Sequence, residues 1–146
     1  MIKGMKLSAL FQRSALASLA LGILLTPQAQ AVSLGEFEYR NSCAQCHGMS
    51  GKGDGPVGAF LRSMPSDLTV LQKNNGGVFP VTELYSVIDG SAAVDLHGRD
   101  MPLWGNRYRA RIAADVDGNF SPGETEIYVR TRILSLIEHL AKMQVE

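Results

Sequence analysis

Cys43, Cys46 and His47 lie within one run, Cys43-Ala44-Gln45-Cys46-His47, and no other cysteine occurs in the 146 residues. A C-x-x-C-H run sets two thiols and one imidazole at the spacing that holds a c-type haem covalently. Each thiol can add across one haem vinyl group, leaving the histidine beneath the iron as proximal ligand. With no further thiol, neither a Cys-rich zinc site nor a disulfide framework can be completed. The competing use of the spacing is a thioredoxin-like redox pair, which opens a helix after a strand and leaves the histidine without a role. Here the residues before Cys43 read as a short helix.

These side chains need elements to carry them. Gly35, Tyr39 and Cys43 recur at intervals of four, placing them on one face of a helix starting near Ser33. Gly35 is either a close-approach point for another helix or part of a loose start. Gly48-Met49-Ser50-Gly51-Lys52-Gly53-Asp54-Gly55-Pro56 is too rich in glycine for helix or strand. It is not a phosphate-binding P-loop, because Lys52 is followed by Gly53 rather than Ser or Thr. Short helices are predicted over Pro56 to Arg62, Asp67 to Gln72 and Pro80 to Asp89, the last stopped by Gly90. Ser121 and Glu124 form a capping box around Pro122, and Val129, Ile133, Leu136, Ile137 and Leu140 make one apolar stripe of a helix reaching about Met143. No period-two pattern occurs, so the fold class is all-α, without internal repeats.

Residues 1–31 carry the parts of a secretory signal peptide. Lys3, Lys6 and Arg13 precede an apolar stretch from Ser14 to Leu25, Pro27 ends it, and Ala29-Gln30-Ala31 offers small residues for cleavage after Ala31. The stretch falls short of the roughly 20 apolar residues that span a bilayer, so no membrane span is expected after cleavage. Export and haem attachment support each other, since the thiols meet haem outside the cytoplasm; in a Gram-negative cell that compartment is the periplasm. The remainder, 32–146, reads as one domain whose small core a buried porphyrin would complete. It holds eleven basic and fourteen acidic residues, a net charge of −3 that excludes a nucleic-acid partner.

The chain resembles the class I cytochrome c family, in particular its single-haem bacterial periplasmic branch, from Gly35 to about Met143. The resemblance is carried by Gly35-x-x-x-Tyr39-x-x-x-Cys43, Cys43 to Gly48, Gly51-Lys52-Gly53-Asp54-Gly55-Pro56, Pro65-Ser66-Asp67-Leu68-Thr69, Asn74-Asn75-Gly76-Gly77 and Met101-Pro102-Leu103-Trp104-Gly105. It implies a cytochrome c fold, with short helices around one covalent haem c and the first and last helices crossing near Gly35. It further implies that the Pro56 carbonyl accepts the second ring N–H of His47, an outer contact that orients the ligand. Ser91 departs from the arginine that many relatives carry after the helix stop.

For the sixth iron ligand the expectation is Met101, whose thioether is a soft neutral donor that raises the potential of an electron carrier. Met64 and His97 are the alternatives, the latter giving bis-His ligation; Met49 is too near His47 to reach the other haem face. Trp104 is expected at the haem edge with its indole N–H toward a propionate. Arg99, Arg107, Arg109 and Arg111 gather around the same loop, to neutralise a propionate or to form a solvated docking patch. His139 is expected to pack where relatives often carry tyrosine.

A variable insertion is expected at about 106–120. Over Ala113 to Glu124 an EF-hand register places Asp115, Asp117, Gly118, Asn119, Ser121 and Glu124 at ligand or turn positions, but Ala113 at the first position removes a ligand, and capping already accounts for Ser121 and Glu124. Calcium is therefore a minor expectation. The leading functional expectation is a periplasmic electron-transfer protein, not itself an enzyme, exchanging electrons with redox partner proteins such as a donor dehydrogenase and an acceptor oxidase or reductase. The alternatives are a haem subunit of a periplasmic dehydrogenase complex, and a sensor or enzyme with an open axial position.

Overall fold

Five buried side chains of one helix organise the fold. In the computed structural model, which describes residues 31–91, 100–115 and 120–145 with the Asp115 side chain outside that set, α6 (Pro122–Lys142) buries Val129, Ile133, Leu136, Ile137 and Leu140. At roughly 1.5–3 kcal/mol for each fully buried aliphatic side chain, this stripe is the largest apolar contribution of any helix among the described residues. Its start is the predicted capping box: Ser121 Oγ accepts from Glu124 N–H, and the Glu124 carboxylate accepts from Ser121 N–H.

Three segments pack on α6. The first is α1 (Leu34–Glu38), capped by Ser33, which runs through a wide π-type turn (Tyr39–Cys43) into α2 (Ala44–His47). A Cβ at Gly35 would collide with the Ser135 backbone carbonyl, so the glycine is a close-approach point and not a loose start. After the 3₁₀ turns Gly58–Phe60 and Leu68–Val70 and the short α3 (Leu71–Asn74), α4 (Val81–Asp89) ends at Gly90, whose φ of 90° is the left-handed stop expected there. α5 (Trp104–Asp115) packs against both α4 and α6. The described residues are helical and contain no strand, and none of their helices is long and apolar enough to cross a membrane.

Several expectations change. The helix expected over Pro56 to Arg62 is only the turn Gly58–Phe60, because Gly55 N–H and Val57 N–H bond to the Cys46 and Gln45 carbonyls and draw this stretch alongside α2. The helix expected over Asp67 to Gln72 is the Leu68–Val70 turn, capped by Asp67, followed by α3. Most of the insertion expected at 106–120 is the helix α5. Its signal was Trp104, Tyr108 and Ile112 at intervals of four, the latter two buried, hidden among arginines and polar residues.

The charges around α5 and α6 are used structurally. Arg109 bridges Asp89 at 3.1 Å and Glu126 at 2.7 Å, joining α4, α5 and α6, and holds the Glu126 carboxyl below its ordinary value. Arg109 is therefore committed to protein carboxylates and is not a propionate partner. Glu38, fully buried, pairs with Arg132, whose guanidinium lies 4.4 Å from the Tyr128 ring centroid. The segment expected to direct export, except Ala31, and the residues His97, Arg99, Asp117 and Asn119 lie outside the described residues.

Candidate functional site

α2 delivers the motif to the wall of a cavity of about 260 Å³. Cys43, Cys46 and His47 line it together with Met64, Met101 and Trp104, and its apolar walls come from Leu68, Leu84, Val87, Ile88, Leu136 and Leu140. The π-type turn ends at Cys43, with Ala44 N–H reaching back to the Tyr39 carbonyl; Tyr39 in turn donates through its hydroxyl to the Gly48 carbonyl at 2.7 Å. The turn before the motif and the loop after it are thus joined through one buried side chain.

His47 has a defined tautomer. Its Nδ1 lies 2.9 Å from the Ser66 carbonyl oxygen, an atom that can only accept, so Nδ1 carries the proton and Nε2 keeps its lone pair. Burial lowers the His47 pKa, partly opposed by that hydrogen bond, and favours the neutral ligating form. The expected acceptor, Pro56, is corrected to Ser66. Pro56 is exposed on the stretch that the Gly55 and Val57 backbone bonds hold against the Gln45 and Cys46 carbonyls, whereas Ser66 is on the loop lining the cavity. Ser66 was not legible as a partner, because the accepting atom belongs to the backbone, which every residue has.

The thiols are placed differently from those of a redox pair. Cys43 is buried, and that burial, with Cys46 beside it, pushes its thiol up to about 12. A redox-active C-x-x-C needs the opposite shift to supply thiolate, and no strand leads into the motif.

Met101 lines the cavity as expected, and so does Met64, although Met64 is 74% exposed. Trp104 opens α5 at the cavity, with the Arg107 guanidinium 5.2 Å over its ring. A second cavity of about 680 Å³ shares Ser42, Cys46, Pro102 and Trp104 with the first and adds Arg107 and Arg111. These two arginines are placed to meet an anionic group beside Cys46. His139 packs on Tyr39 with ring centroids 5.1 Å apart, the packing role expected of it.

The EF-hand register is described only at its two ends. Its first three positions, Ala113 to Asp115, fall within helix α5, and Ser121 and Glu124 hydrogen-bond each other in the cap of α6. No acidic, histidine or cysteine cluster able to hold a metal ion occurs among the described residues.

The donor set fits a c-type haem. Two thiols, an imidazole with a free Nε2 and a thioether border one cavity with apolar walls, the chemistry that covalent attachment and His/Met ligation require. Comparison with protein-family models, with curated proteins and with solved structures found no match for this chain.

Proposed function

We propose that this chain is an exported one-electron carrier of the cytochrome c type, working in the periplasm after cleavage behind Ala31. Cys43 and Cys46 would hold one haem c covalently, with His47 and Met101 as its axial ligands; when bound, the haem supplies the reversible Fe(III)/Fe(II) couple. The observation that carries this reading is the His47 Nδ1–H bond to Ser66, which leaves Nε2 as the ring's available donor in a residue bordering the same cavity as both cysteines and Met101.

The protein's own residues do the rest. The Ser66 carbonyl orients the imidazole and strengthens it as a donor. Leu68, Leu84, Val87, Ile88, Leu136 and Leu140 keep water from the cavity, which narrows the reorganisation that accompanies a change of charge. Arg107 and Arg111 offer positive charge beside Cys46 and Trp104, toward an acidic redox partner. With His47 and Met101 as its ligands the haem would offer substrate no place to bind, and the domain would carry electrons and perform no reaction of its own.

The alternative of a dedicated haem subunit of a dehydrogenase complex has one specific support. Val57, Phe60 and Met64 are exposed at 37, 87 and 74% on the segment bordering the cavity, an apolar edge suited to a lasting interface. Isolation from a native membrane-free extract separates the two readings: a free carrier elutes alone, a subunit with its larger partner. The direct test is export of the chain in a haem-maturing host. The expected product is red, resists haem extraction by acidic acetone and shows a sulfur-to-iron charge-transfer band that Met101→Ala abolishes. A colourless product with two titratable thiols would refute the reading.

A further inference from the structure

We infer that the loop 61–66 is a clasp holding both axial ligands, and that Asp100 is a positioning residue for Met101; this rests on the haem reading above. At one end of the loop, the Ser66 carbonyl accepts from His47 Nδ1 at 2.9 Å. At the other, Arg62 N–H donates to Asp100 Oδ2, also at 2.9 Å, across 38 residues of sequence. Asp100 immediately precedes Met101, and both line the cavity with Leu61, Ser63 and Met64 of the loop. One short segment therefore touches the proximal ligand through its own carbonyl and the distal ligand's neighbour through its own amide.

The Met101 side needs such a tether. Among the described residues, the Arg62–Asp100 bond is the one hydrogen bond that joins segment 100–103 to a part of the chain distant in sequence. Residues 101–103 lie before the first turn of α5 and have no helical ladder of their own. A thioether is a neutral, weak ligand, so its occupancy of the iron depends on how narrowly the backbone confines the sulfur. A hydrogen bond from an amide to a carboxylate is among the stronger tethers available. The loop is itself anchored, by Leu68 N–H to the Gly51 carbonyl at 2.7 Å and by Asp67 capping Thr69, so tension applied at Asp100 is borne by the fold and not by a free segment.

The experiment measures how fast cyanide binds the ferric holoprotein, because cyanide enters only when Met101 leaves the iron. Asp100→Ala is expected to bind cyanide about tenfold faster than wild type, the size set by losing one charge-assisted hydrogen bond. Asp100→Asn, which keeps an accepting oxygen but not its charge, is expected to fall between the wild-type and Asp100→Ala rates. Arg62→Pro removes the donor N–H and is expected to match Asp100→Ala, with the double variant no faster than either. Should Arg62→Pro not fold, the Asp100 pair still decides. A wild-type cyanide rate in Asp100→Ala overturns the clasp, and so does a lowered unfolding midpoint with the rate unchanged, which marks a structural role alone. Absence of the sulfur-to-iron band from wild-type holoprotein would instead refute the haem ligation on which the clasp rests.

Discussion

Gly53 is where a single methyl group should reach His47, the proposed iron ligand. Its φ is +83°, and a Cβ built there would run into the Pro65 carbonyl, next to Ser66, while its own N–H bonds to the His47 carbonyl at 2.8 Å. Gly53→Ala therefore incurs two costs. The left-handed backbone costs a non-glycine residue about 1–2 kcal/mol. Forcing a methyl into backbone that must move aside adds roughly 1–3 kcal/mol. Gly77 separates the two: its φ is +87°, but nothing lies within 4 Å of its Cβ position, so Gly77→Ala should carry the conformational cost alone. Urea unfolding of both variants should place Gly53→Ala about 1–3 kcal/mol below Gly77→Ala. In the haem-loaded protein, displacement of Pro65–Ser66 should also weaken the His47 hydrogen bond and raise the reduction potential, because a less basic imidazole stabilises ferric iron less. Equal stabilities for the two variants would refute the packing argument, and an unchanged potential would show that Ser66 moves independently of Pro65.

Four further outcomes are expected. Arg132→Ala leaves the fully buried Glu38 carboxylate without its partner and should destabilise by about 3–5 kcal/mol in denaturant unfolding, whereas a change of under about 1 kcal/mol would mean the carboxylate is hydrated. Burial raises Tyr39 to about 12 against an ordinary 10.0, so the unfolded chain releases this proton first; its contribution to stability is fully present below pH 10 and is lost as pH rises toward 12, by at most about 1.4 kcal/mol per pH unit, and Tyr39→Phe should remove that share, leaving in the haem-free protein the similar loss that the raised Cys43 thiol brings. Gln144→Ala should cost about 1–2 kcal/mol by leaving the Leu68 carbonyl without its side-chain donor, measured as a shift in the urea midpoint at constant slope. Titration with millimolar calcium should give no binding heat, since the would-be ligands Ser121 and Glu124 are already bonded to each other; a saturable exotherm would restore the EF-hand register.

What could be read from the chain divides according to whether a side chain or the backbone does the work. The apolar stripe of α6, its capping box, the Gly90 stop and the close approach at Gly35 are side-chain facts, or facts about a missing side chain, and periodicity exposes them. The motif itself is of the same kind. The hydrogen bond on His47 is not, because its acceptor is a carbonyl, and only the path of the 61–66 loop determines that Ser66 and not Pro56 supplies it. α5 escaped for another reason: Arg107, Arg109 and Arg111 dilute its apolar spacing, although Arg109 earns helical placement through carboxylates on two other helices.

The remaining question is why a loop without regular structure can hold a ring nitrogen at a fixed point. Its far side is fastened to the end of the longest helix. Gln144, just beyond α6, accepts from Gln72 N–H at 2.9 Å and donates to both the Leu68 and Leu140 carbonyls at 2.8 Å, and Val145 N–H donates to the Thr69 carbonyl at 2.9 Å. The turn that follows Ser66 is thereby carried on α6, whose five buried aliphatic residues also form part of the cavity wall through Leu136. Displacing the turn that carries the chain onward from Ser66 would require breaking several of these bonds together. The rigidity of the site thus derives from the apolar stripe of α6, transmitted through backbone hydrogen bonds to a loop whose own composition gives no sign of it.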